Sequence, residues 1–384
     1  LLWNVSNVKN MICMFCCCIN FNQPLNNWIV SNVESMEGMF SICKKFNQPL
    51  NNWNVGNVTS MKCMFMGCEN FNQPLNNWDV SNVTSMNFLF HGCYNFNQSL
   101  NTWDVSNVKC IISMFNGCSQ FNQPLDNWNV SKVESMHKTF SFCFKFNQSL
   151  ENWDVSSVSS MQSMFKDCSK FNQPLDKWDV RKVINLSEIF EGCIRFNQPL
   201  NSWKVRDVTN MSKMFKGCYN FNQPIDRWIV KNTESMDMMF YGCEQFNQPL
   251  NTWNVRNVKN MKEMFEGCLN FDQPLDKWRT GYVNNMSNIF KDCINFNHPI
   301  ENWNIGRVRN MSGMFEGCLK FNQPLDKFKL KSVRDLSRMF YGCVSFNQSL
   351  NNWKIVEGQS IQSIFDGCVS FDRKKNLPSW YKSD

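Results

Sequence analysis

Hydrophobic residues recur along this chain with a period of 25, and polar residues fill the same gaps in every copy. Counting each block from its first residue, Trp stands at register position 3 from Trp3 to Trp353, with Phe328 the one replacement. Positions 15, 18 and 21 are Phe, Cys and Phe in all fifteen blocks, ending at Phe365, Cys368 and Phe371. No insertion interrupts the register between residues 1 and 371. A unit copied without gaps predicts a solenoid in which every copy makes the same coil, because one such unit cannot bury its aromatic residues alone.

Inside a block the spacing changes character. In Leu75, Trp78, Val80 and Val83 the Trp-x-Val core alternates as a short strand with one buried face does. Met86, Leu89, Phe90 and Cys93 then follow at i, i+3, i+4 and i+7, which predicts one face of a short helix. Position 10 is Ser, Asn or Asp in fourteen of fifteen blocks, the residue types that cap a helix N-terminus. Position 17 is Gly in ten of fifteen, suited to a left-handed stop. The expected fold is a repeat solenoid of about fifteen turns, each with one short parallel strand and one short helix. Residues 1–371 form the solenoid in this reading, and residues 372–384 a C-terminal cap. Trp78, Phe90, Cys93 and Phe96 exemplify the ladders expected to fill its interior.

The unit running from Phe71 to Cys93, F-N-Q-P-L-N-N-W-D-V-S-N-V-T-S-M-N-F-L-F-H-G-C, resembles the BspA-like leucine-rich-repeat surface proteins. More narrowly, it is similar to the mycoplasma-type lipoprotein repeat, and the likeness covers residues 1 to about 371. The resemblance implies a leucine-rich-repeat-like solenoid at a cell surface or secreted, with a role in adhesion or partner binding and with no catalytic residues.

Composition narrows the picture a little further. Alanine is absent, as expected when one short unit is copied many times. A formal charge of +7 over 384 residues is too small to imply nucleic acid. No apolar run approaches the ~20 residues that span a bilayer. Leu1 to Trp3 already stand in register without an initiator Met or leader, so further repeats are expected upstream.

Candidate chemistry is sparse. One Cys per turn predicts a small packing residue, although neighbours ~5 Å apart also lie within disulfide reach. Cys13, Cys16, Cys17 and Cys18 form the one dense cluster, but no second pair sits at zinc-site spacing, so no metal or cofactor is expected. His91, His137 and His298 occupy different register positions, and no catalytic set can be assembled from them. Asp79, Asp104, Asp154 and Asp179 share position 4 and read as solvated surface. The recurrent Asn-Gln of the corner, as at Asn22-Gln23, predicts a ladder of stacked amides.

Outward positions differ between copies, and there the chain changes sign. Residues 1–175 carry ten Lys and Arg against ten Asp and Glu, whereas residues 176–384 carry 29 against 22. The added cations fall partly on the predicted strand face, at Arg181, Lys204, Arg206, Lys231, Arg256, Arg279, Lys329 and Lys331. These residues are the candidate partner-binding set, for an acidic protein or an acidic glycan. Nucleic acid is not expected, since no aromatic strip interleaves with the charges. The chain therefore reads as a non-enzymatic binding scaffold, for surface adhesion or host interaction. An intracellular or virion-associated adaptor with a reduced cysteine ladder is the alternative.

Overall fold

The computed structural model describes residues 3–376, 378, 380 and 381, without the side chain of Arg373. The remainder of the expected cap, 377, 379 and 382–384, lies outside the described residues. The chain forms two compact units, Leu1–Gln198 and Pro199–Asp384. Each unit is a stack of 25-residue coils whose backbones run parallel.

The expected helix is replaced by a row of β-turns. In the coil containing Phe90, the amides of Leu89, His91 and Cys93 donate to the carbonyls of Met86, Phe88 and Phe90, each three residues back. Phe88 and Gly92 take left-handed φ values of 58° and 73°, the mark of type II turns at their third position. The alternate amides point along the stack instead. Met86, Phe88, Phe90 and Gly92 donate to the carbonyls of Cys110, Ile112, Met114 and Asn116 in the next coil, at 2.7–3.1 Å. The second unit repeats the scheme from Met261 to Gly267.

Hydrogen bonding explains the choice. A helix of one to two turns leaves its first four N–H groups and its last four C=O groups unpaired. The turn row uses those same groups within and between coils, while still placing positions 11, 14, 15 and 18 on the inner side. Glycine at position 17 is thus a turn residue and not a helix stop. Position 10 caps a turn: Asn185, Asn210, Asn285, Asn310 and Asp335 each accept the N–H two residues on.

The parallel backbone pairing also lies elsewhere than at Trp-x-Val. Single parallel bridges run through position 10, from Asn10 and Ser35 to Ser160 and Asn185 in the first unit, and from Asn210 and Ser235 to Asp335 and Ser360 in the second. Around Trp78 the chain instead turns, with the Trp78 amide donating to Leu75 and that of Val83 to Val80.

Aromatic ladders fill each unit. Trp78 stacks on Trp103 at 6.4 Å, Phe65 on Phe90 at 5.7 Å, and Phe71 on Phe96 at 6.1 Å. Phe90 and Phe96 also stack within their coil at 4.1 Å. The indole N–H and the thiol tie these ladders to the backbone. Trp103 Nε1 donates to the Leu75 carbonyl, which already receives the Trp78 amide. Cys118 Sγ donates in the same way to the Phe90 carbonyl, which already receives the Cys93 amide. Each carbonyl offers two lone pairs, one to its own coil and one to the next. The ladder cysteine is therefore a thiol donor as well as a packing residue, and all twenty cysteines are free.

At the corner, Asn72 Oδ1 accepts the Asn97 amide at 2.9 Å and Gln98 Nε2 at 3.0 Å, and copies in both units do the same. The second unit ends in a four-residue helix, Arg373–Asn376. Asn376 Nδ2 bonds Asn347 there, and the Trp380 ring stacks on Trp353 at 6.4 Å.

Candidate binding face

From the second coil to the fourteenth, positions 4, 6, 7 and 9 alternate with the buried residues at 3, 5 and 8, so these coils turn the four side chains outward together. In the first unit this face is small and nearly neutral. Asp79 Oδ1 accepts the amide and the hydroxyl of Ser81, at 3.1 and 2.7 Å. Asp104 and Asp154 hold Ser106 and Ser156 through their amides. The carboxylates of position 4 thus shape the turn, and the Ser106 bonds hold the Asp104 carboxyl below its usual range. Arg181 belongs to this unit, and its guanidinium clasps both oxygens of Asp179 at 2.6–3.1 Å. Its charge is spent on its own coil.

The second unit differs. Its four outward positions carry twelve Lys and Arg against three acids, Asp207, Glu234 and Glu357. Lys204, Arg206, Arg256, Arg279, Lys329 and Lys331 are exposed and Lys231 is half-buried. Among the described residues none of these seven is paired with a carboxylate. Lys259, by contrast, meets Glu234 at 2.7 Å.

At the middle of this face the repeat breaks. Arg279-Thr280-Gly281-Tyr282 stands where the first unit has sequences such as Asp79-Val80-Ser81-Asn82. Thr280 fills the Val slot, fully buried, and its hydroxyl donates to the Asn304 carbonyl at 3.0 Å. Gly281 withholds its side chain at the next outward position. The result is an open hollow of about 790 Å³, walled by Arg256, Lys277, Arg279 and Tyr282 and floored near Trp253 and Trp278. No carboxylate lines it. A neighbouring hollow of about 460 Å³ shares Tyr282 and adds Arg307 and Arg309. The Arg307 guanidinium lies 4.5 Å from the centre of the Tyr282 ring, which holds both in place.

The structure thus gathers Arg256 and Arg279 from the sequence-predicted set around one hollow and leaves Arg181 in the other unit. Sequence reasoning missed Lys277, Tyr282, Arg307 and Arg309. The signal was available in the Thr-Gly-Tyr that interrupts an otherwise regular block. Chemically, the hollow offers forked and point cations, amide side chains and one aromatic face. It has no His, Cys, Asp or Glu in its lining to move a proton or act as a nucleophile. Among the described residues no three His, Cys, Asp or Glu side chains converge as metal ligands, the Cys13–Cys18 cluster included. No helix of the described residues is long and apolar enough to cross a membrane.

Comparison with known proteins gives the following. The family model described as "Mycoplasma protein of unknown function, DUF285" matches at residues 2–103, 64–178, 161–278 and 260–380. No curated protein sequence matches. Among solved structures, a leucine-rich repeat protein from Bacteroides ovatus is similar at 15% identity, over 94% of this chain and 80% of its own, with a TM-score of 0.49. One from Eubacterium ventriosum aligns at 12% identity over 92% and 84%, with a TM-score of 0.35. A leucine rich cell surface protein from Faecalibacterium prausnitzii aligns at 12% identity over 86% of each chain, with a TM-score of 0.33.

Proposed function

The chain belongs to the DUF285 family, and we propose that it is a non-catalytic binding scaffold of a cell surface, acting in adhesion or host contact. Its second unit takes the acidic partner. The observation that carries this reading is the 790 Å³ hollow walled by Arg256, Lys277 and Arg279, where cations converge without a single lining carboxylate.

Cations repeated from coil to coil, as at Arg206, Lys231 and Arg256, suit a partner that is itself an extended row of anions. A carboxylate- or sulfate-bearing chain has that form, whether polypeptide or glycan. Tyr282 is the one aromatic ring exposed on this face among the described residues, fewer than a single-stranded nucleic acid platform uses.

The test is binding of heparin and of poly-L-glutamate to the full chain, measured at two salt concentrations. The variant Lys231→Glu/Arg256→Glu/Arg279→Glu is the comparison. Three surface contacts of about 0.5–1 kcal/mol each predict a loss of roughly tenfold or more, with a shallower salt dependence. Unchanged affinity for both probes would remove the face from consideration.

A second reading keeps the scaffold and moves it inside a cell or virion. Every ladder thiol with a described bond is a hydrogen-bond donor in its reduced form, as at Cys93 to the Phe65 carbonyl. Alkylation of the native protein under denaturing, non-reducing conditions separates the two. Bridged ladder cysteines favour the exported rod, and close to twenty free thiols favour the reducing compartment.

A further inference from the structure

A different surface of the first unit carries a second site. Positions 16, 17 and 19 of three successive coils meet there: His91-Gly92-Tyr94, then Asn116-Gly117-Ser119, then Phe142 and Phe144. The middle coil has only small residues, so it forms the floor of a hollow of about 310 Å³ between aromatic walls. Tyr94 stands on one side, 50% exposed, and leans over Gly117, whose Cβ would meet its Cε1 at 3.7 Å. Phe142 and Phe144 stand on the other, 39% and 45% exposed and edge to face at 6.4 Å.

The repeat supplies its own control. Position 17 is left-handed throughout and is Gly in ten of fifteen coils. Phe142 adopts φ 60° there, a conformation that costs a bulky residue roughly 1–2 kcal/mol. It then leaves its ring in water beside a second exposed Phe. Cys17, Ile42, Asp167 and Asp292 hold the same left-handed φ, so that cost belongs to the repeat, and what sets this coil apart is the exposed Phe pair.

The polar groups of the hollow decide the ligand. The Asn116 carboxamide has no hydrogen bond among the described residues, and His91 Nδ1 is buried without a partner. Ser119 donates to the Tyr94 carbonyl at 3.0 Å and keeps its lone pairs. Burial, with nearby Lys138, lowers the His91 pKa and so favours its neutral imidazole. No lining side chain carries a charge, so an anion has nothing to pair with here. Tyr94 and Phe144 share a register two coils apart, roughly 10 Å, wide enough for one saturated ring in contact with both walls.

We propose that this hollow binds a neutral hexopyranose, one sugar of a glycan, with its C–H faces on Tyr94, Phe142 and Phe144 and its hydroxyls on Asn116, Ser119 and His91. The site is separate from the cationic face and stands whether or not that face binds anions.

The test is a neutral-glycan array, followed by saturation-transfer NMR with the methyl pyranosides of glucose, galactose, mannose and N-acetylglucosamine. The expected result is binding of at least one, with transfer from aromatic protons. Phe142→Gly/Phe144→Ser copies Gly117 and Ser119 of the preceding coil, so the coil retains residues this fold already uses. That variant is expected to lose at least tenfold in affinity with its thermal melt kept or raised, while Arg256→Glu/Arg279→Glu binds as the parent does. The proposal is overturned if no neutral pyranoside binds, if the Phe142/Phe144 variant binds equally well, or if the hollow responds only to apolar peptides.

Discussion

Raising the pH should unfold this protein through its cysteine ladder. Cys68, Cys93, Cys118, Cys143 and Cys168 of the first unit are fully buried, and burial pushes each thiol far above the ordinary value of 9.0. Burial likewise lifts Cys43 to about 12. A raised folded-state pKa means the stabilisation is complete below the unfolded value and is lost as pH rises through it. Above about pH 9 the unfolded chain releases protons that the folded chain holds. Each thiol then costs about 1.4 kcal/mol by pH 10, so these five together cost about 7 kcal/mol. That is comparable with the ~5–15 kcal/mol that holds a typical domain folded. The assay is urea denaturation followed by circular dichroism at pH 8, 9 and 10, in reductant. Lys and Tyr also titrate there, so the comparison is with Cys93→Ser/Cys118→Ser/Cys143→Ser. A hydroxyl can donate to the same carbonyls without ionising. The variant should lose about 4 kcal/mol less than the parent between pH 8 and 10. Equal losses in the two proteins would refute the argument.

Four further outcomes are expected. Trp128→Phe should cost about 1 kcal/mol, the bond from Nε1 to the Leu100 carbonyl, since Phe328 fills the same slot elsewhere; Trp128→Ala should cost about 3–5 kcal/mol by chemical denaturation. Lys138 holds φ 56°, so Lys138→Gly should leave the melt unchanged or raise it, where a helix interior would lose about 1 kcal/mol. Asn122 accepts both the Asn147 amide and Gln148 Nε2; Asn122→Asp should be tolerated, as Asp272 is, while Asn122→Leu should lose about 1–3 kcal/mol in the same assay. Burial, with help from Lys138, lowers the pKa of His91 and of His137. Their contribution is complete above the ordinary histidine value of 6.5 and falls as pH drops through it, so melts at pH 7.5 and 5 should differ less in His91→Gln/His137→Gln.

Much of this architecture could be read from the chain alone. A gapless 25-residue register with Trp, Phe, Cys and Phe at fixed positions dictates coils that stack in phase, because only stacking buries those rings. The Asn-Gln corner was legible for the same reason, since an amide repeated at one place can bond its own copy. The shift of positive charge to the second half was legible by counting, and it led to Arg256 and Arg279.

The local backbone was not legible. The spacing of Met86, Leu89, Phe90 and Cys93 fits one face of a helix and equally one side of a row of turns. Periodicity records which side chains are buried and is silent about where the amides between them point. That choice was made by the next coil, whose carbonyls accept the amides of Met86, Phe88, Phe90 and Gly92. The donor role of Cys118 and Trp103 depends in the same way on carbonyls 28 residues earlier in the chain. Nor did the sequence separate Arg181, which is clasped by Asp179, from Arg279, which stands over a hollow. The sequence by itself determined the coil, its register and its buried ladders, since those follow from burying apolar area. Tertiary structure alone decided which hydrogen bonds close each coil and which cations stay unpaired, because both depend on partners that only stacking brings within reach.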